Sequence, residues 1–81
     1  MKAAIFEGKE KITIQNSCEK PKTANDEVLI KVKKVGICGS DVGSYESGGP
    51  YFPGKIIGHE FSGDIVEVGG NVKKIKVGER V

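Results

Sequence analysis

The sequence predicts a mainly β unit, either a barrel or a sandwich, and three observations support this fold class. Short segments of alternating polar and apolar residues recur along the 81-residue chain, and this two-residue period is typical of strands that are covered on one face. Twelve glycines punctuate these segments and indicate frequent turns. No segment has a helical period of useful length. About five or six short strands joined by glycine-rich turns are typical of an all-β domain.

Each predicted strand follows from its own pattern. In the third, Val28, Ile30 and Val32 lie on one face and Lys31 and Lys33 on the other, which indicates one buried face. Leu29 and Val35 break the strict alternation and indicate that the strand is partly covered on both sides. The predicted strands are residues 2–6, 11–15, 27–35 and 61–68, and a further strand begins at residue 76. Gly8-Lys9-Glu10 is predicted to be a hairpin connection, and Gly63 a bulge or bend. Residues 17–26 and 43–54 are predicted to be loops.

Composition and charge limit the possible classes of function. The chain is 30% charged and 37% hydrophobic, which indicates a globular rather than a disordered protein. A net charge of +2 and an aromatic content of 6% provide little for binding nucleic acid. No apolar run has the length of a membrane span, and the first residues do not form a signal peptide. We therefore expect a cytoplasmic protein that binds neither nucleic acid nor membrane, and two cysteines do not indicate a disulfide framework.

The length of the chain allows one domain or part of one. The last predicted strand stops at Val81, and we therefore expect a truncated domain.

Two dense motifs supply the candidate chemistry. Gly36–Asp41 contains Cys38, and the only histidine, His59, lies 21 positions later and directly before Glu60. Thiolate sulfur, imidazole nitrogen and carboxylate oxygen are the ligands that zinc prefers. Two or three protein ligands plus a water molecule are typical of a catalytic zinc site, where the metal lowers the pKa of a bound water or alcohol.

Two further residues of the first motif have candidate roles beside the metal. Ser40 could take a proton from a bound hydroxyl group, and Asp41 could accept a hydrogen bond from the far ring nitrogen of His59. Each residue also has a purely structural interpretation. Cys38 could be a small buried apolar residue, His59 a hydrogen-bonded loop residue, and Ser40-Asp41 a helix cap or turn. The residues alone leave both interpretations open.

The remaining candidate side chains carry weaker signals. Cys18 lies in a polar stretch without a neighbouring ligand residue, and we predict no function for it. Tyr45, Tyr51 and Phe52 could line a pocket, but packing against loops is the favoured interpretation.

Taken together, the motifs resemble a known family. Gly36–Asp41, Pro53, Gly58–Gly63, Val68-Gly69 and Val77–Val81 resemble, in order and in spacing, the zinc-containing medium-chain alcohol dehydrogenases. The resemblance covers nearly the whole chain and is strongest to the sorbitol, galactitol-phosphate, butanediol and threonine dehydrogenases. It implies a GroES-like, partly open barrel, with residues 1–81 as the N-terminal part of the catalytic domain. The NAD-binding Rossmann domain of the family would be absent.

The resemblance also implies roles for individual residues. Cys38 and His59 would be catalytic zinc ligands, and Glu60 the acidic neighbour that is a ligand in some members. Ser40 would bind the substrate hydroxyl group and begin a proton relay, and Asp41 would orient His59. The cofactors would be Zn²⁺ and, in the full-length protein only, NAD(H).

As an enzyme, the full-length protein would oxidise a small alcohol or polyol to a ketone by hydride transfer. It would be a homo-oligomer, and the 81-residue chain alone would be inactive.

One departure and two alternatives accompany the resemblance. Gly43 occupies the position at which many members carry a relay histidine, so the outer relay must differ or use water. The alternatives are a metal-free GroES-like β-barrel that serves in binding or assembly, and a fragment of a non-zinc reductase. Neither alternative explains why Cys38, Ser40, Asp41 and His59 occur together.

Overall fold

The computed structural model describes residues 1–81 and consists of five strands and one helix. The predicted mainly β fold class is confirmed, and the strands form two open sheets rather than a closed barrel. In chain order the elements are β1 (Ala3–Gly8), β2 (Lys11–Gln15), β3 (Val28–Gly36), α1 (Gly39–Ser47), β4 (Lys55–Ile56) and β5 (Glu60–Val68). They belong to two compact units, one of residues 1–19 and 36–60, the other of residues 20–35 and 61–81.

The first unit contains a three-stranded sheet in the order β2-β1-β4. β1 and β2 pair in antiparallel fashion from Ala3 opposite Gln15 to Gly8 opposite Lys11, which confirms the predicted hairpin. β4 also runs antiparallel to β1. Sequence analysis missed β4 because two residues are too few to show a period.

The core of the first unit is small and lies on β1. Ala3, Ile5 and Phe6 are buried, and Phe6 is only 1% exposed. Ser44 of α1 is fully buried. Phe6 also meets Tyr51 edge-on, and Tyr51 belongs to the site described below.

The prediction of a loop from residue 43 is wrong, because α1 continues to Ser47. Within the helix only Val42 and Tyr45 are large and apolar, so no apolar stripe marks it in the sequence. The helix ends at Gly48, whose φ of +87° is left-handed and whose N–H donates to the carbonyl of Ser44 at 2.8 Å. Such a glycine is a common helix end, because the conformation costs glycine no steric strain.

The start of α1 also differs from the expected cap. Cys38, in an extended conformation, is the residue that precedes the helix, rather than Ser40 or Asp41. Asp41 lies in the first turn, and its Oδ2 accepts a hydrogen bond of 2.9 Å from the N–H of Cys38. A first-turn carboxylate that reaches back in this way stabilises the start of a helix.

The second unit contains the pair β3-β5, whose predicted bounds agree with the structure to within one residue. The predicted buried face of β3 is corrected, because Val28 and Ile30 are half-buried and Val32 is 52% exposed. Gly63 of β5 is required by close approach rather than by the predicted bulge. A Cβ atom there would collide with the carbonyl oxygen of Lys31 and lie 2.7 Å from Cγ2 of Ile30. The absence of a side chain lets the two backbones pack together.

The expected strand from residue 76 is also corrected. Val77-Gly78 forms a turn, and the φ of +96° at Gly78 interrupts any extended run. Only Arg80 bridges to β5, opposite Asp64, although the N–H of Val81 still donates to the carbonyl of Gly63 at 2.9 Å.

Candidate metal centre

The pairing of β3 with β5 brings the two sequence motifs together. At one end of the pair, a Cβ atom on Gly36 would lie 3.6 Å from the carbonyl oxygen of Glu60. Cys38 follows two residues after the end of β3, and His59 comes directly before β5. The two residues therefore meet because each lies next to the same end of the strand pair.

A glycine sets the direction in which the chain enters this site. Gly58 has a φ of +110°, which is unfavourable for residues with a side chain. The backbone can therefore turn immediately before His59.

The potential metal ligands are Cys38, His59 and Glu60. Their ligand atoms all lie within 4.8 Å of one another. In a tetrahedral zinc site with bonds of about 2.0–2.3 Å, neighbouring ligand atoms are about 3.3–3.8 Å apart. The three side chains thus fit zinc in donor type, and small rotations would bring them to bonding distance. Cys38 is half-buried, whereas His59 and Glu60 are exposed.

The two nitrogens of His59 face different carboxylates. Nε2 lies 3.9 Å from Oε2 of Glu60, and Nδ1 lies 3.7 Å from Oδ1 of Asp41. Nε2 is therefore on the side of the potential ligands. The Nδ1 contact is longer than a hydrogen bond, so Asp41 acts on His59 through charge at this distance rather than through the predicted hydrogen bond.

Asp41 is the most constrained acidic group of the site. It is 9% exposed, and its Oδ1 accepts a hydrogen bond of 2.7 Å from the hydroxyl of Tyr51. This hydrogen bond, then the one from the N–H of Cys38, lowers the pKa of Asp41 below its usual value. Asp41 is consequently ionised at neutral pH.

Tyr51 is a residue of the site that sequence analysis assigned to packing. Its hydroxyl lies 3.0 Å from Oγ of Ser40 as well as 2.7 Å from Asp41. The hydrogen bond to Asp41 raises the pKa of Tyr51 above its ordinary value. No spacing signal predicts these contacts, since they depend on a turn after α1, a helix that the sequence pattern does not reveal.

Of the other residues considered in the sequence analysis, Ser40 lies at the site and Cys18 lies outside it. Ser40 is exposed in the first turn of α1, two residues after the candidate ligand Cys38. Cys18 lies outside the cluster, and its sulfur is 3.8 Å from Oε1 of Gln15.

Known proteins are similar to this chain in sequence and in fold. The family described as "Alcohol dehydrogenase GroES-like domain" matches residues 24–81. The chain belongs to the zinc-containing medium-chain alcohol dehydrogenase family. It is 54% identical to D-arabitol-phosphate dehydrogenase of Enterococcus avium, over 75% of this chain and 18% of that protein. It is 47% identical to sorbitol dehydrogenase of Bacillus subtilis, over 100% of this chain and 24% of that protein.

A comparison with a solved structure indicates the same family. The chain superimposes on 2R,3R-butanediol dehydrogenase of Bacillus subtilis with a TM-score of 0.85 and 44% identity, covering 98% of this chain and 26% of that one. The family resemblance predicted from the motifs is thereby confirmed. The chain spans about a quarter or less of the length of these relatives. Its one helix is too short to cross a membrane.

Proposed function

We propose that this chain is the N-terminal part of the catalytic domain of a zinc-dependent, NAD(H)-linked dehydrogenase that oxidises a small polyol or secondary alcohol. The observation that carries the proposal is the clustering of ligand atoms from Cys38, His59 and Glu60 within 4.8 Å. Family membership supports it. The names of the relatives refer to arabitol phosphate, sorbitol and butanediol, and this favours a substrate with several hydroxyl groups.

Cys38 and His59 would hold the zinc ion through Sγ and Nε2, and Glu60 is the third candidate ligand. When bound, zinc supplies Lewis acidity, which lowers the pKa of a hydroxyl group and polarises a carbonyl group. The carboxylate of Asp41, on the Nδ1 side of His59, favours the orientation in which Nε2 faces the metal.

Ser40 would receive the substrate. Its hydroxyl is exposed, and so a small alcohol can reach it. A serine oxygen can accept a hydrogen bond from an alcohol and fix the direction of its O–H bond. The hydride acceptor would be a nicotinamide nucleotide bound by residues outside this chain, because the sequence contains no glycine-rich turn of the dinucleotide-binding type.

The test uses protein expressed from the complete reading frame that contains this chain. We expect zinc in the purified protein and reduction of NAD⁺ or NADP⁺ by at least one of sorbitol, arabitol phosphate and 2,3-butanediol. His59→Ala should lose at least about 100-fold in kcat/KM, the scale on which metal-site changes act. The matched control is Cys18→Ser, which lies outside the cluster and should retain activity.

A zinc-loaded protein that reduces neither nucleotide with any of these substrates would contradict the proposal. A second expectation concerns the isolated chain. The 81-residue chain should transfer no hydride on its own, and a steady rate from it would show that the hydride acceptor is bound within these residues.

A further inference from the structure

The ring of Tyr51 is held in place independently of its hydroxyl group. The ring meets Phe6 edge-on, with centroids 5.9 Å apart and planes at 87°. Nζ of Lys55 lies 5.5 Å from the centroid of the same ring. Phe6 is itself buried in the core of the unit. The hydroxyl of Tyr51 is therefore presented to the site from a fixed position.

The hydrogen bonds of that hydroxyl have only one consistent direction. The Tyr51 oxygen lies 2.7 Å from Asp41 Oδ1 and 3.0 Å from Ser40 Oγ. A phenol carries one proton, and the Tyr51 hydroxyl is the donor in its hydrogen bond to Asp41 Oδ1. The Tyr51 proton thus goes to Asp41, and the Tyr51 oxygen accepts the proton of Ser40.

This direction determines what Ser40 can do. With its only proton committed to Tyr51, Ser40 Oγ has lone pairs but no donor left for a third group. It can then only accept a hydrogen bond, which is the role needed to meet the O–H of an alcohol. Asp41 is itself fixed in position, because its Oδ2 accepts a hydrogen bond of 2.9 Å from the N–H of Cys38.

We propose that Tyr51 is a positioning residue that orients the hydroxyl of Ser40 as a hydrogen-bond acceptor for the substrate alcohol. The proposal rests on the dehydrogenase function proposed above. Gly43, which lies on α1, has no side chain and cannot orient the hydroxyl of Ser40. Tyr51 acts through Ser40 and has no contact of its own with the substrate in this account.

The first test is spectroscopic and needs neither metal nor activity. The chain contains two tyrosines, so Tyr45→Phe leaves Tyr51 as the only one. The intensity ratio of the tyrosine Raman doublet depends on the hydrogen bonds of the phenol, and it distinguishes a phenol that both donates and accepts from one that only donates. In the 81-residue chain carrying Tyr45→Phe we expect the first state, and adding Ser40→Ala should change it to the second. An unchanged doublet would overturn the proposed direction.

The second test is a double-mutant cycle in the protein from the complete reading frame. Tyr51→Phe keeps the ring contacts and removes only the hydroxyl. We expect kcat for alcohol oxidation to fall about three- to tenfold, the scale of one hydrogen bond, with KM and zinc content unchanged. In a Ser40→Ala background the same change should cost less than about twofold, because Tyr51 has no serine left to orient.

The controls separate this role from a structural one. Tyr45→Phe is the matched variant, since Tyr45 is 40% exposed and its hydroxyl makes no hydrogen bond; its kcat should stay within about twofold of the parent. If Tyr51→Phe costs as much with Ser40→Ala as without it, Tyr51 only supports Asp41 and the inference is wrong. If the unmutated protein is inactive, the dehydrogenase proposal itself fails, and the role of Tyr51 fails with it.

Discussion

The candidate metal centre and the strand pair β3-β5 are stabilised by different kinds of contact. Around the candidate metal centre, side-chain hydrogen bonds stabilise the structure, and Asp41 accepts one from the hydroxyl of Tyr51 and one from the N–H of Cys38. Along β3 and β5 the backbones themselves are in contact, and Gly63 is required because no side chain fits there. The site should therefore stay folded when a polar side chain is replaced by one of similar shape. The strand pair should be sensitive to the addition of a single methyl group.

Each of the two regions also contains an aspartate whose pKa is lowered, and the surroundings of the two aspartates differ. For Asp41 the main cause is the hydrogen bond from Tyr51, at a position that is 9% exposed. For Asp64 it is the hydrogen bond from Arg80, whose side chain is 69% exposed. The direction of the shift is the same, but only Asp41 lies among the candidate site residues. A shifted pKa by itself therefore does not identify the site.

The largest effect on stability is expected from Gly63→Ala. The new methyl group would collide with the carbonyl of Lys31, and relief requires separation of the paired backbones. We expect a loss of about 2–4 kcal/mol in the free energy of unfolding, measured by urea denaturation of the 81-residue chain with circular dichroism. Gly70→Ala is the matched control, since a Cβ there meets nothing within 4 Å. Equal effects of the two changes would remove the proposed difference between the regions.

An intermediate effect is expected from Asp41→Asn. Loss of the charge weakens the hydrogen bonds from Tyr51 and Cys38, and we expect a cost of about 1–2 kcal/mol at pH 7. Because the folded pKa of Asp41 lies below its unfolded value, its contribution is complete at neutral pH. The contribution is lost as the pH falls below about 4 and through the lower folded value.

The unfolding free energies of the parent and Asp41→Asn should therefore converge in acid. Asp26→Asn is the control, because Asp26 is exposed and makes no side-chain hydrogen bond. A difference between parent and Asp41→Asn that stays constant from pH 7 to about pH 2 would show that the carboxylate charge does not stabilise the site.

The smallest effect is expected from Asp64→Asn. Its partner Arg80 is largely exposed, and exposed ion pairs contribute little because water and salt screen them. The melting temperature of the 81-residue chain should fall by about 2 °C or less, and the difference should disappear in about 1 M salt. A loss as large as that of Asp41→Asn would show that the second unit also depends on its side-chain contacts.

The sequence predicted the strand pair better than it predicted the site. The alternation of Val28, Ile30 and Val32 predicted β3 to within one residue, although Val28 and Ile30 are only half-buried and Val32 is 52% exposed. A helix cap or turn at Ser40-Asp41 was one interpretation of the sequence, but the extent of α1 to Ser47 was missed, because Asp41 at its start, Gly48 at its end and buried Ser44 produce no periodic pattern. Sequence reasoning works where a regular alternation of residues marks the element.

Within the site, the same distinction holds residue by residue. Cys38, His59 and Glu60 were predicted from donor chemistry and motif spacing, and the structure brings their ligand atoms together. Tyr51 was not predicted to contact Asp41, since the contact spans ten residues and depends on the turn that follows α1. Contacts of this kind require the three-dimensional structure.

The most direct test of the account is cobalt substitution of the candidate metal centre. Protein from the complete reading frame would be stripped of metal and titrated with Co²⁺, and thiolate ligation would be followed through its sulfur-to-metal charge-transfer absorption. The chain has two cysteines, which provide a matched pair of variants. The account predicts that Cys18→Ser keeps the intensity of the band, whereas Cys38→Ser lowers it by the contribution of one thiolate and His59→Ala weakens binding. A band of the same intensity in Cys38→Ser and in the unmutated protein, or no band in the unmutated protein, would contradict the proposed metal centre.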